Sequence, residues 1–136
     1  MGINSYNHEG YLDLTAYEAL KNIEKHRKLV FICSPFAGDI EGNTERARRY
    51  GRFAVTRNAI PIIPHLMYPQ FLCEDDPEER ELGISMGLVL LSKCHELWVF
   101  GSKVTSGMAV EIEKAKSINI PIRYFNTHCI PVGGMK

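Results

Sequence analysis

The order of apolar runs along this chain predicts an α/β protein, a three-layer α/β/α sandwich on a parallel sheet of four or five strands. Three observations predict it. Short, almost wholly apolar runs at residues 29–33, 60–63 and 97–100 read as strands buried on both faces. Segments with helical period and helix-start chemistry separate these runs. Strand and helix then alternate through residue 125, as crossover connections on both sides of one sheet require.

Each element has its own signal. Residues 11–25 place Leu12, Leu14, Tyr17, Leu20 and Ile23 roughly on one helical face, so 1–27 reads as an N-terminal helical extension. The first strand, 28–33, is stopped by Ser34-Pro35, and a small-residue loop follows through Asp39. Asn43 has N-cap chemistry, which predicts a helix over about 44–57 with Ala47, Tyr50 and Ala54 inward and arginines outward. Residues 60–64 form a short strand whose prolines suit its ends. The connection 65–75 carries Met67, Tyr68, Phe71 and Leu72, and a loop this apolar packs over a core or lines a pocket. Asp76-Pro77-Glu78-Glu79 is a strong helix start, with an aspartate cap, proline at N1 and a glutamate at N3 for a capping box. That helix runs to about Ser92. A third strand at 96–100, a helix at 106–117 and a last strand at 121–125 complete the series, and 128–136 reads as a loose tail.

Composition narrows the partners. One domain accounts for all 136 residues. Sixteen basic residues balance sixteen acidic ones, so no overall field favours a nucleic acid polymer or a membrane. The partner is therefore expected to be a small molecule or another protein. No stretch has membrane-spanning length and the first residues hold no apolar signal region, which points to the cytoplasm. The four cysteines lack CxxC spacing and read as free thiols. Cys94-His95 has no further ligands at metal spacing, and the acidic run from Glu74 to Glu81 complements a helix dipole, so no metal site is expected.

The segment from Thr105 to Ala115 carries the most chemistry. Gly101 ends a strand, a hydroxyl pair and Gly107 open a helix, and Glu111 sits one turn inside. Gly107 and Ala115 share its face, so the carboxylate projects from a surface cleared of bulk. Open α/β folds bind ligands beyond the carboxyl ends of their strands. A carboxylate there can attack a cationic carbon while the helix start holds an anion. The plainer reading of a lone Glu111 is a solvated helix glutamate.

Two quoted elements carry a resemblance. The strand and loop Phe31-Ile32-Cys33-Ser34-Pro35-Phe36-Ala37-Gly38, with Ser106-Gly107-Met108-Ala109-Val110-Glu111, resembles the nucleoside 2-deoxyribosyltransferase superfamily, which includes the 2′-deoxynucleoside 5′-phosphate N-hydrolases. Pro64-His65-Leu66-Met67-Tyr68-Pro69-Gln70-Phe71-Leu72 looks closest to a poorly characterised bacterial and phage branch. The resemblance implies a flavodoxin-like or Rossmann-like sheet and hydrolysis or base exchange on a nucleoside or nucleoside 5′-monophosphate. Glu111 would be the nucleophile. Ser34, Phe36, Gly38, Asp39, His65, Thr105, Ser106 and Gly107 would contact the substrate. It implies no cofactor, and a homodimer or larger homo-oligomer in which a neighbour's tail completes the pocket. Two positions depart from the pattern. Gly87 stands where relatives carry an aspartate that protonates the leaving base, and Phe31 stands where some carry a tyrosine. Asp39, Tyr68 and Glu113 are the alternatives for that acid, and a non-catalytic nucleotide-binding or sensing module is the alternative function. His65 suits either a substrate contact or a structural bond to a loop carbonyl.

Overall fold

The computed structural model describes residues 27–133 together with Ala16. Apart from Ala16, the helix expected at 11–25 lies outside the described residues, as do residues 134–136. The described chain forms β1 (Lys28–Cys33), α1 (Ile40–Thr56), β2 (Ala59–Ile62), α2 (Pro64–Met67), α3 (Pro77–Leu91), β3 (Glu96–Phe100), α4 (Ser106–Ser117) and β4 (Ile122–Phe125). The four strands make one sheet in the order β2-β1-β3-β4, and every pair is parallel. Phe31 lies opposite Ile62, Ile32 opposite Trp98 and Leu97 opposite Ile122. The fold is thus the α/β sandwich that the alternating runs predict.

Alternation along β1 and β3 explains why both strands are apolar at every position after the first. Val30, Ile32, Trp98 and Phe100 turn to one face, where Tyr50 and Ala54 of α1 cover them. Phe31, Cys33, Leu97 and Val99 turn to the other, beneath Leu91 of α3 and Met108, Ile112 and Ala115 of α4. On the α1 face Tyr50 stacks on Phe100 at 4.2 Å and Phe100 on Phe125 at 5.0 Å, tying α1 to β3 and β4. At the start of the sheet, Glu96 is buried and accepts hydrogen bonds from Lys28 Nζ and Trp98 Nε1, both at 2.8 Å. The Arg123 guanidinium lies 5.3 Å from the Trp98 ring centre. Asn58 and Asn119 adopt left-handed φ of 62° and 60° just past α1 and α4, the helix-ending geometry asparagine tolerates.

Four details differ from expectation. Helix α1 starts at Ile40 because Asp39, not Asn43, caps it, accepting the Gly42 N–H at 3.0 Å. Asn43 is a buried residue one turn inside, and its Nδ2 donates to the Phe36 and Ala37 carbonyls at 3.0 and 3.2 Å. The connection after β2 is no plain loop, since Pro64 opens the short α2 and a 3₁₀ turn, Tyr68–Gln70, follows. Asp76 caps α3 as expected through the Glu78 N–H at 3.0 Å, but Glu79 reaches past it to accept the Cys73 N–H at 2.6 Å. Residues 128–133, expected loose, fold back: the Asn126 N–H donates to the Ile130 carbonyl at 2.9 Å and the Val132 N–H to the Tyr124 carbonyl at 3.0 Å. Among the described residues no helix is long and apolar enough to cross a membrane.

The aromatic stack predicts its own cost of removal. Phe100→Ala should destabilise the protein by about 3–5 kcal/mol, measured as a lower urea midpoint at unchanged slope.

Candidate functional site

A cleft of about 340 Å³ opens beyond the carboxyl ends of β1 and β3, and Glu111 lines it. Thr105 caps α4 by accepting the Met108 N–H at 3.2 Å. The Ser106 and Gly107 amides of that first turn also line the cleft and have no protein acceptor among the described residues. Gly107 leaves open space where a side chain would stand, so nothing on that turn shields Glu111.

Two oxygens in the cleft are buried without hydrogen-bond partners: Ser34 Oγ and Glu111 Oε1. Buried polar atoms in native proteins are ordinarily paired with protein groups or ordered water, so these two oxygens mark the most polar unfilled part of the cleft floor. Burial pushes the Glu111 carboxyl up to about 7, and a hydrogen bond from the Cys33 thiol beneath it offsets part of that rise. The same burial, with the carboxylate alongside, raises the Cys33 thiol well above its ordinary value.

His65 makes the structural bond to a loop carbonyl and also stands in the cleft wall. Its Nε2 donates to the Ser34 carbonyl at 3.1 Å, and its ring stacks on Phe36 at 4.9 Å, while both rings line the cleft. Burial lowers its pKa, only partly countered by the Ser34 carbonyl. The imidazole is therefore held neutral, with Nδ1 left as an acceptor.

Of the residues expected from the sequence, the cleft gathers Ser34, Phe36, His65, Thr105, Ser106, Gly107 and Glu111. Gly38 and Asp39 lie outside its lining. Gly38 has φ of 93° and turns the chain into α1, while the Asp39 carboxylate is occupied by the Gly42 N–H and by Arg46 at 3.4 Å. Among the alternatives for an acid, Tyr68 lines the cleft, whereas exposed Glu113 pairs with Lys116 at 3.8 Å. Gly87 also lines the cleft, and a Cβ there would meet only Pro64, at 3.8 Å.

Sequence reasoning missed Glu74, Arg80, Gly83 and Ile84, which form much of the opposite wall. A signal existed for three of them. Arg80, Gly83, Ile84 and Gly87 follow one another at helical spacing, so one face of α3 turns a cation and two glycines toward the cleft. Arg80 has no ion pair among the described residues and stands as a free cation on the wall facing α4.

Comparisons with known proteins add to this geometry. A family profile described as "Domain of unknown function (DUF7768)" matches residues 28–125. No curated protein matches the chain. A 2-deoxyribosyltransferase from the psychrotolerant bacterium Bacillus psychrosaccharolyticus shares the fold with a TM-score of 0.62 at 13% identity, over 79% of this chain and 76% of that one. A 2-desoxiribosyltransferase from Leishmania mexicana does so with a TM-score of 0.52 at 15% identity, over 73% of this chain and 64% of that one.

Burial of Glu111 makes a stability prediction with a definite sign. Its folded pKa, about 7, exceeds the ordinary 4.5, so the folded state holds this proton more tightly than the unfolded chain. Stability from this group is fully present below about pH 4.5 and is lost as pH rises through about 7, by at most about 3 kcal/mol. Glu111→Gln should thus melt higher than wild type at about pH 8, with a much smaller gap at about pH 5, in paired thermal denaturation scans.

Proposed function

The chain belongs to the DUF7768 family, and on that premise we propose that it cleaves or exchanges the N-glycosidic bond of a nucleoside or nucleoside 5′-monophosphate, with Glu111 as nucleophile. One observation carries the reading. Glu111 Oε1 is buried and unpartnered in the same cleft as an unpartnered Ser34 Oγ and the free amides at the start of α4. A carboxylate with one oxygen left without a protein donor is a stronger nucleophile than a fully hydrogen-bonded one, and that oxygen faces the cleft where a substrate would lie. The shared fold of the two 2-deoxyribosyltransferases supports a nucleoside as that substrate.

In this reading a Glu111 oxygen forms a bond to the anomeric carbon as the carbon–nitrogen bond breaks and the base departs with its electron pair. The base takes up a proton. The resulting sugar ester is then opened by water, which regenerates the carboxylate, or by a second base that re-forms an N-glycosidic bond. The α4 amides, Ser34 and Arg80 bind the anionic or hydroxyl-bearing end of the substrate, while Phe36, His65 and Tyr68 offer faces and edges to the base. Residues that hold a metal are not needed for any step.

A second reading, a nucleotide-binding or sensing module without catalysis, has its own support at Gly87. The inner face of α3 offers no carboxyl there to protonate the leaving base. Tyr68 and Glu74 bring the phenol and the second carboxyl that line the cleft.

Chromatography of free base released from a panel of nucleosides and 5′-monophosphates tests the proposal. Wild type should release base, at a rate that climbs as pH rises through about 7 and Glu111 loses its proton. Glu111→Gln should release at least about a thousandfold less while still binding substrate. Tight binding with no release from any compound would establish the sensing module instead. If proton delivery limits the rate, Gly87→Asp should raise it by about a hundredfold, because its Cβ fits against Pro64.

A further inference from the structure

A second cavity, of about 270 Å³, lies at the amino ends of the strands on the α1 face, at the opposite end of the sheet from Glu111. Lys28, Glu96, Trp98 and Arg123 line it from the sheet, and Phe53 and Arg57 line it from the end of α1. The proposed reaction makes no use of it. Its charges do not balance. Lys28 is spent on Glu96, whose other oxygen accepts from Trp98, so that pair brings no net charge. Neither the Arg57 nor the Arg123 guanidinium has an ion pair or a hydrogen-bond acceptor among the described residues. Aromatic faces hold them instead. Arg57 lies 5.0 Å from the Phe53 ring centre, and Arg123 lies 5.3 Å from that of Trp98 and 5.5 Å from that of Phe125. Phe53 in turn meets Trp98 at 5.8 Å and Phe125 at 5.3 Å, so the two cations ride on adjoining rings of one cluster. A guanidinium stacked on a ring is held in place while its in-plane N–H donors stay free for an oxyanion.

Two negative features oppose an anion there, and neither prevails. The Glu96 carboxylate is neutralised by Lys28 and has both oxygens occupied. The carboxyl end of α1 carries only about half a negative charge, against two unpaired arginines. We propose that this cavity binds a small phosphate dianion, either inorganic phosphate or a phosphomonoester, between Arg57 and Arg123. The two unpaired charges match those of a dianion. Tetrahedral phosphate oxygens accept a fork of N–H donors from either side, whereas one fork already saturates a carboxylate. A nucleic acid polymer fits less well, because the site is concave and the chain's sixteen basic residues are balanced by sixteen acidic ones. The inference is independent of the proposed reaction and stands whether or not Glu111 is a nucleophile.

Calorimetric titration of the full chain with inorganic phosphate, and separately with glycerol 3-phosphate, reads the affinity. The ionic strength is fixed with chloride, at about pH 7.5, where a phosphomonoester is largely a dianion. Saturable binding is expected with a Kd of about 0.1–1 mM. The same titrations should change Trp98 emission, since the indole lines this cavity and not the cleft. Arg57→Gln and Arg123→Gln should each weaken the emission response by about tenfold. Arg57→Lys and Arg123→Lys keep a cation over the ring without the fork and should each cost about threefold, with circular dichroism unchanged. Arg80→Gln, on the cleft wall, should leave the emission titration as it is. Glycerol 3-phosphate binding at least about tenfold more tightly than phosphate identifies an organic ligand, and equal affinities identify free phosphate. No saturation with either by about 20 mM, acetate binding as tightly as phosphate, or an emission response indifferent to both glutamine variants overturns the proposal. Binding of a uridine oligonucleotide with no response to either phosphate overturns it in favour of a polymer.

Discussion

The site depends on where the crossovers of this sheet divide. β1 and β3 are neighbours, yet the chain leaves them in opposite senses: through α1 over one face toward β2, and through α4 over the other toward β4. Right-handed crossovers allow no other arrangement for this strand order. No connection can then run across the edge between the two strands, and a crevice is left there by construction. Ser34 leaves β1 at that edge and α4 begins beside it. The remaining walls come from the long route between β2 and β3, which must pass over β1 to reach its place, carrying α2, the 3₁₀ turn and α3 along the rim.

Within that crevice, stability and readiness oppose each other. Glu111 sits where water cannot solvate it well, which holds its proton and costs the folded state free energy at neutral pH. The surrounding core bears this because the two clusters on either side of β1 and β3 are packed with fully buried Phe31, Ile32, Leu97 and Phe100. Arg80 and the unpaired α4 amides bring positive ends to a cleft that also holds Glu74, and Arg80 makes no salt bridge to Glu111. The cation is thereby kept apart from the carboxyl, which stays unquenched.

What the sequence made legible, and what it hid, follows from range of interaction. β1 and β3 were readable because strands covered on both sides must be apolar at every position, and Leu29 to Cys33 and Leu97 to Phe100 are. Glu111 was readable because Gly107 and Ala115 lie within one turn of it on the same face. Asn43 has cap chemistry, yet Asp39 takes the cap, because Asn43 lies one turn inside and holds the Phe36 and Ala37 carbonyls of the preceding loop. Glu74 was hidden by its neighbours, since an acid in an acidic run reads as solvated, whereas Arg80 showed only through its helical spacing to Gly83 and Gly87. The return of residues 128–133 onto β4 joins backbone bonds to a turn held by Asn126, whose Oδ1 accepts the His128 and Ile130 N–H groups, and one asparagine in a polar stretch is a faint signal.

The chain's single tryptophan has an optical consequence. Trp98 faces the α1 side of the sheet, its indole N–H fixed to Glu96 and its ring under Arg123, while Glu111 looks out from the other side. Emission from this indole is therefore deaf to occupancy of the cleft and sensitive to the cohesion of β1 with β3. Titrations of the cleft followed by intrinsic fluorescence will look silent even when it fills, and a change in that signal will mean that the sheet itself, or the cavity against the indole, has changed.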